Sequence, residues 1–195
     1  MKEKVGLGMI ELWRQFSWVI PIMALATAAL IVVVYIWNQK KGVVRWIDLI
    51  PPLFTIISLG GIFLITLSPL VPGVALQGET NFQPFENLKL NLVYRNHLDV
   101  PIRNLSANIA LFIPFAFFYA WWIRRGKWII IRTTLIGSFL SIVIEFAQYQ
   151  FPLGRSTDID DWMMNTLGTI VGAILLVIIL KLYRKGIIYN NSKSA

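Results

Sequence analysis

Five runs of apolar residues, each long enough to cross a bilayer, constrain this chain more than anything else in it. A helical crossing takes about 20 residues. The runs cover residues 16–37, 49–68, 105–123, 128–150 and 163–182, and the first three contain no Asp, Glu, Lys or Arg. Inside hydrocarbon every backbone N–H and C=O needs an internal partner, and a helix supplies one within a single segment. The expected fold class is therefore all-α, a polytopic membrane bundle of five transmembrane helices. Charged residues make up only 14% of the chain, against about 25% in soluble domains. Lys2 and Lys4 ahead of the first run imitate a signal peptide. That run is too long for a signal-peptide core and ends in Trp37-Asn38-Gln39-Lys40-Lys41, so it is expected to stay as an uncleaved span. Cysteine is absent, which excludes disulfides and thiolate metal sites.

Five spans place the two termini on opposite sides. The N-terminal side would hold seven Lys/Arg residues and the other side eleven, among them the hairpin Arg124-Arg125-Gly126-Lys127. Basic residues mark the cytoplasmic side. The expectation is a multi-pass plasma-membrane protein with its N-terminus outside and its C-terminus in the cytoplasm. The net charge of +8 is explained by these orientation charges and by contact with anionic headgroups, so nucleic acid is not an expected partner. The chain divides into an N-terminal segment with the first span (1–45), a four-span membrane domain (46–185) and a polar tail (186–195). The longest connection, 69–104, carries apolar and aromatic residues throughout, and 86–98 is predicted to form a surface or re-entrant helix.

One acid, Glu145, falls well inside a span. A central charge in a bilayer costs roughly 2.5–3.5 kcal/mol on insertion scales, so such a residue needs company. Polar side chains recur at helical spacing on three spans. Asn104 and Asn108 are one turn apart; Gly137, Ser141, Glu145 and Gln148 form a second stripe; Asp158, Asp161, Asn165, Gly168 and Gly172 form a third. All three stripes end on the predicted outer side and are expected to converge there. Pro114 in the middle of its span either opens a kink or is a tolerated packing feature. The partners open to Glu145 are Arg155, Arg103 and the amides; a protonated Glu145 bonded to Asn108 would also be satisfied. A plainer account makes Asp158 the N-cap of the last helix, with Asp160 and Asp161 stabilising its first turn and Arg155 pairing with Asp158. That account leaves Glu145 unexplained. Glu145, Asp158, Asp161 and an amide supply oxygen donors of the kind Mg²⁺ or Ca²⁺ prefers, but the spacing matches no dedicated loop. No cofactor is therefore expected, and a divalent cation is the alternative left open. His97, the only histidine, falls in the long connection, where surface histidines are common. No nucleophile–base motif, Walker motif or dinucleotide fingerprint is present.

The order Asn81-Phe82-Gln83-Pro84-Phe85, Asn108-Ile109-Ala110-Leu111-Phe112-Ile113-Pro114-Phe115-Ala116, Glu145-Phe146-Ala147-Gln148, Arg155-Ser156-Thr157-Asp158-Ile159-Asp160-Asp161 and Asn165-Thr166-Leu167-Gly168 resembles the VanZ-like family. The resemblance spans about residues 59–182 and leaves the first run outside. Ala116 stands where the family commonly has glycine. The family's polar signature falls on Asn108, Glu145, Gln148, Arg155, Asp158, Asp161 and Asn165. The resemblance implies a link to reduced teicoplanin and lipoglycopeptide sensitivity in Gram-positive bacteria, without a settled chemistry.

Two functions follow as expectations. In the first, an outer-leaflet polar site binds a lipid-linked cell-wall component or an amphiphilic antibiotic. Asn108, Gln148, Asn165, Asn104, Arg103 and Arg155 are then the binding residues. In the second, the protein is an intramembrane enzyme acting on a lipid headgroup or lipid-linked precursor, with Glu145 as acid or base and Asp158 and Asp161 as its catalytic partners. A small transporter is a third class, disfavoured by the lack of an inverted repeat. The sequence leaves the oligomeric state open.

Overall fold

The computed structural model describes residues 46–69, 78–86, 89, 99–124, 126–151 and 153–193, with positions 28, 32 and 36. The first apolar run lies outside the described residues apart from those three positions, as does the predicted surface helix apart from Glu86 and Lys89. After a short 3-10 turn at Trp46–Asp48 come α1 (Ile50–Leu67), β1 (Thr80–Asn81), α2 (Asp99–Trp122), α3 (Ile129–Gln150), β2 (Thr157–Asp158) and α4 (Ile159–Lys193). Four of these helices are long and apolar enough to cross a membrane: α1, α2, α3 and the first 27 residues of α4. The protein is thus an all-helical, multi-pass membrane protein, with four candidate spans among the described residues.

The helix boundaries have local causes. Pro51 and Pro52 sit in the first turn of α1, where their missing N–H groups cost nothing. Trp128 adopts a left-handed conformation (φ 60°) at the start of α3 and so breaks the run from α2. Phe151 closes α3 in extended backbone, as the residue before a proline prefers. α2 begins at Asp99, six residues before the apolar run, because its polar first turns continue the helix beyond the hydrocarbon. Pro114 lies within it and the helix runs through.

The bundle is inside-out, as a lipid solvent requires. On α3 the buried stripe is Thr133, Gly137, Ser141, Ile144 and Gln148, at steps of three and four. Leu135, Phe139 and Phe146 on its other faces are 64%, 64% and 62% exposed. Without a hydrophobic drive between helices in lipid, close packing of small residues does the work. Gly168 and Gly172 let α4 lie directly against the backbone of α2 at Ile109 and Ile113. Phe112, Phe115, Ala116, Ile62 and Ile144 form the main buried cluster among α1, α2 and α3. Ala120, Ala173 and Leu176 continue the core between α2 and α4.

The chain alternates direction, so α1 and α3 end where α2 and α4 begin. This polar end is stitched by a two-residue parallel pairing of β1 with β2, Thr80 opposite Thr157 and Asn81 opposite Asp158. The opposite end, at the α2–α3 hairpin, carries an ion pair from Arg124 to Asp48 at 3.1 Å.

Candidate functional site

The register of α3 against α4 builds the site. The helices run antiparallel, and each step of four along α3 is answered by a step of four back along α4. Gly137 packs on Thr169. One turn nearer the polar end, Asn165 Nδ2 donates to Ser141 Oγ at 2.9 Å, with both residues fully buried. The next level up brings Glu145 and Asp161 into facing positions, and their carboxylates lie within Coulomb range of one another. A rung of hydroxyl and amide in lipid contributes about 0.6 kcal/mol on average. Two facing carboxylates contribute nothing to helix association, so this level needs its own explanation.

The N-terminus of α4 supplies part of it. Asp158 Oδ1 accepts the Asp160 N–H at 2.9 Å, the N-cap arrangement. The Asp158 backbone N–H donates to Glu145 Oε2 at 3.0 Å. Glu145 therefore sits at the positive end of a helix dipole and takes a backbone donor there. That partner corrects the expectation that an arginine or Asn108 would hold it. Asn108 on α2 instead donates from Nδ2 to the Asp161 carboxylate. Three helices thus converge on Asp161 and Glu145.

Arg155 stands beside them in the loop before β2. Its Nε donates to the Ser68 carbonyl at 2.7 Å, which ties that loop to the end of α1. Burial holds its guanidinium below its usual value, and the Asp161 charge opposes that effect. Arg155 therefore clamps the loop to α1, with its charge in the field of Asp161. Gln148 is 8% exposed and donates from Nε2 to the Thr66 carbonyl at 2.9 Å. Asn165 lies one turn below the acid pair. Arg103 and Asn104 are exposed on α2 at the rim. Among the described residues, no three acids gather closely enough to hold a metal ion.

Two contacts at this end escaped the sequence reasoning. The Asp160 carboxylate accepts the Phe85 N–H at 2.8 and 3.1 Å. Asn81 Nδ2 lies 3.4 Å from both oxygens of Asp158. Together with the β1–β2 pairing, these bonds fasten residues 79–85 as a strap across the start of α4. Phe85 is held at φ 59°, a left-handed conformation that is strained for a bulky side chain. The order of the Asn-x-x-Pro-Phe and Asp-x-Asp motifs was the available signal, and a shared function of the two segments was not read from it.

A multi-span helical bundle with partly buried carboxylates at one end defines the class: an integral membrane protein. The family model described as VanZ/LLP1 matches residues 25–180, and the chain belongs to that family. The match reaches back into the first apolar run, further than the resemblance suggested. Comparison with curated proteins gives no match. Comparison with solved structures gives none either.

Proposed function

We propose that the polar end lies on the outer face of the plasma membrane. There it binds the polar group of an amphiphile, either a lipid-linked cell-wall component or a lipoglycopeptide of the teicoplanin type. The observation that carries this reading is the convergence of three helices on Glu145 and Asp161 at the ends of the spans, beside the strap, where a headgroup would meet hydrocarbon. An apolar groove of about 330 Å³ between α1, α2 and α3 supports an amphiphilic ligand over a soluble one. Its Val143 end lies within two turns of Gln148 on the same helix, so a headgroup in the site has room for a chain beside it. Binding would hold the ligand at the surface and reduce drug access to its target.

The test is expression of wild type and Glu145→Gln in a teicoplanin-sensitive host. Wild type is expected to raise the inhibitory concentration and the variant to lose the effect. Equal susceptibility of wild-type and empty-vector cells removes the resistance link.

The second reading, an enzyme acting on a lipid headgroup, draws on the unlike partners of the two facing carboxylates. Glu145 takes a backbone N–H and Asp161 takes the Asn108 amide. Such a pair suits an acid and a base. A defined product in lipid extracts of expressing cells, absent from Asp161→Asn cells, would favour it over binding.

A further inference from the structure

Four acids meet at the polar end: Glu145, Asp158, Asp160 and Asp161. One arginine stands among them. Its Nε is committed to Ser68, and its charge is opposed by Asp161. Four carboxyl groups against one guanidinium make this end of the bundle acidic, which favours cations over phosphate.

A buried acceptor points the same way. The Gln148 Nε2 faces the Thr66 carbonyl, which can only accept, so the amide orientation is fixed. Its Oε1 is left buried with no hydrogen-bond partner, on a side chain 8% exposed. Side chains lean toward the N-terminus of their own helix, so Gln148 on α3 leans down toward the Glu145 level. A buried acceptor without a donor costs about 1–3 kcal/mol, so this one beside two carboxylates is in want of a donor. Among the described residues, no three acids gather as a metal site. An ammonium group brings several N–H donors, which carboxylates and a free amide oxygen accept.

We infer that the group recognised at this site is a primary ammonium carried on an amphiphile, seated between Glu145 and Asp161 with Gln148 Oε1 as a further acceptor. This rests on the amphiphile-binding reading and gives Arg155 a structural part: it holds the loop to α1 and does not read an anion. The ligand class is an amino-bearing headgroup, such as an aminoacylated or aminosugar lipid.

The experiment uses the full-length chain in phosphatidylcholine nanodiscs, titrated by calorimetry with dodecylamine, dodecanol and dodecyl phosphate at pH 7. Wild type is expected to bind dodecylamine about tenfold or more tightly than dodecyl phosphate. Glu145→Gln combined with Asp161→Asn is expected to abolish that preference. Gln148→Met, which removes the free acceptor together with the Nε2 bond to Thr66 but leaves both carboxylates in place, is expected to weaken dodecylamine alone and serves if the double variant does not fold. Preference for dodecyl phosphate, or a dodecylamine preference unchanged in the variants, overturns the ammonium assignment and leaves amphiphile binding standing. Absence of binding for all three probes, relative to empty nanodiscs, overturns both.

Discussion

Gly168→Ala is the sharpest test of the packing that builds the site. A methyl group placed on Gly168 meets Ile109 O, C and Cα of α2, all backbone atoms that cannot rotate away. The two helices must separate locally, and overpacking of this kind costs about 1–3 kcal/mol. Alanine returns about 0.5–1 kcal/mol through helix propensity. The net expectation is a loss of roughly 0.5–2 kcal/mol. Gly61 on α1 is the internal control, because a methyl there meets nothing within 4 Å. Gly61→Ala should be neutral or gain about 0.5–1 kcal/mol. The assay is unfolding in mixed micelles with increasing SDS, followed by circular dichroism for the two variants side by side. Because α2 carries Asn108 and α4 carries Asp161, Gly168→Ala should also weaken whatever the site binds. If both alanine variants shift the midpoint by the same amount, α2 and α4 do not lie in backbone contact and the convergence on Asp161 fails with them.

Asn108→Leu strips the Asp161 carboxylate of its amide donor and should destabilise the protein by about 1–3 kcal/mol in the same assay; no loss would place the Asp161 carboxylate in water. Asp160→Ala should release the strap, read as faster hydrogen exchange at Phe85 and earlier proteolysis within residues 79–85, with the helices intact. Arg155→Lys keeps the charge but lacks a guanidinium Nε for the Ser68 carbonyl, and should still cost about 0.5–1.5 kcal/mol. Arg124→Gln at the hairpin end removes a half-exposed ion pair and should cost less than about 1 kcal/mol, with the difference shrinking in high salt.

Hydropathy located α1 and α3 to within a residue or two, because their ends coincide with the edges of the apolar runs. It missed the start of α2 at Asp99 and the continuation of α4 to Lys193, since a helix that leaves the hydrocarbon carries no apolar signal there. The stripe through Gly137, Ser141, Glu145 and Gln148 was legible from spacing, and it is the face that α3 turns toward its neighbours. The partners were not legible. Glu145 takes a backbone N–H, and Arg155 and Gln148 give their hydrogen bonds to backbone carbonyls. Every residue has such groups, so composition and spacing do not mark them. Asp160 is legible as a first-turn acid of the last helix, but its bond to the Phe85 N–H is not, because that partner is a backbone group on a segment far away in sequence. Asn104 and Asn108 share a face by spacing, yet only Asn108 lies deep enough to reach Asp161.

Placing Glu145 opposite Asp161 is the step on which the site, its ligand and its chemistry all depend. The chain has no native cysteine, so Glu145→Cys with Asp161→Cys in native membranes, treated with a short bifunctional thiol reagent, reports that juxtaposition directly. The account predicts rapid crosslinking of this pair and little for Phe146→Cys with Asp161→Cys, because Phe146 faces lipid. Equal crosslinking of both pairs, or none for the Glu145 pair, would contradict it.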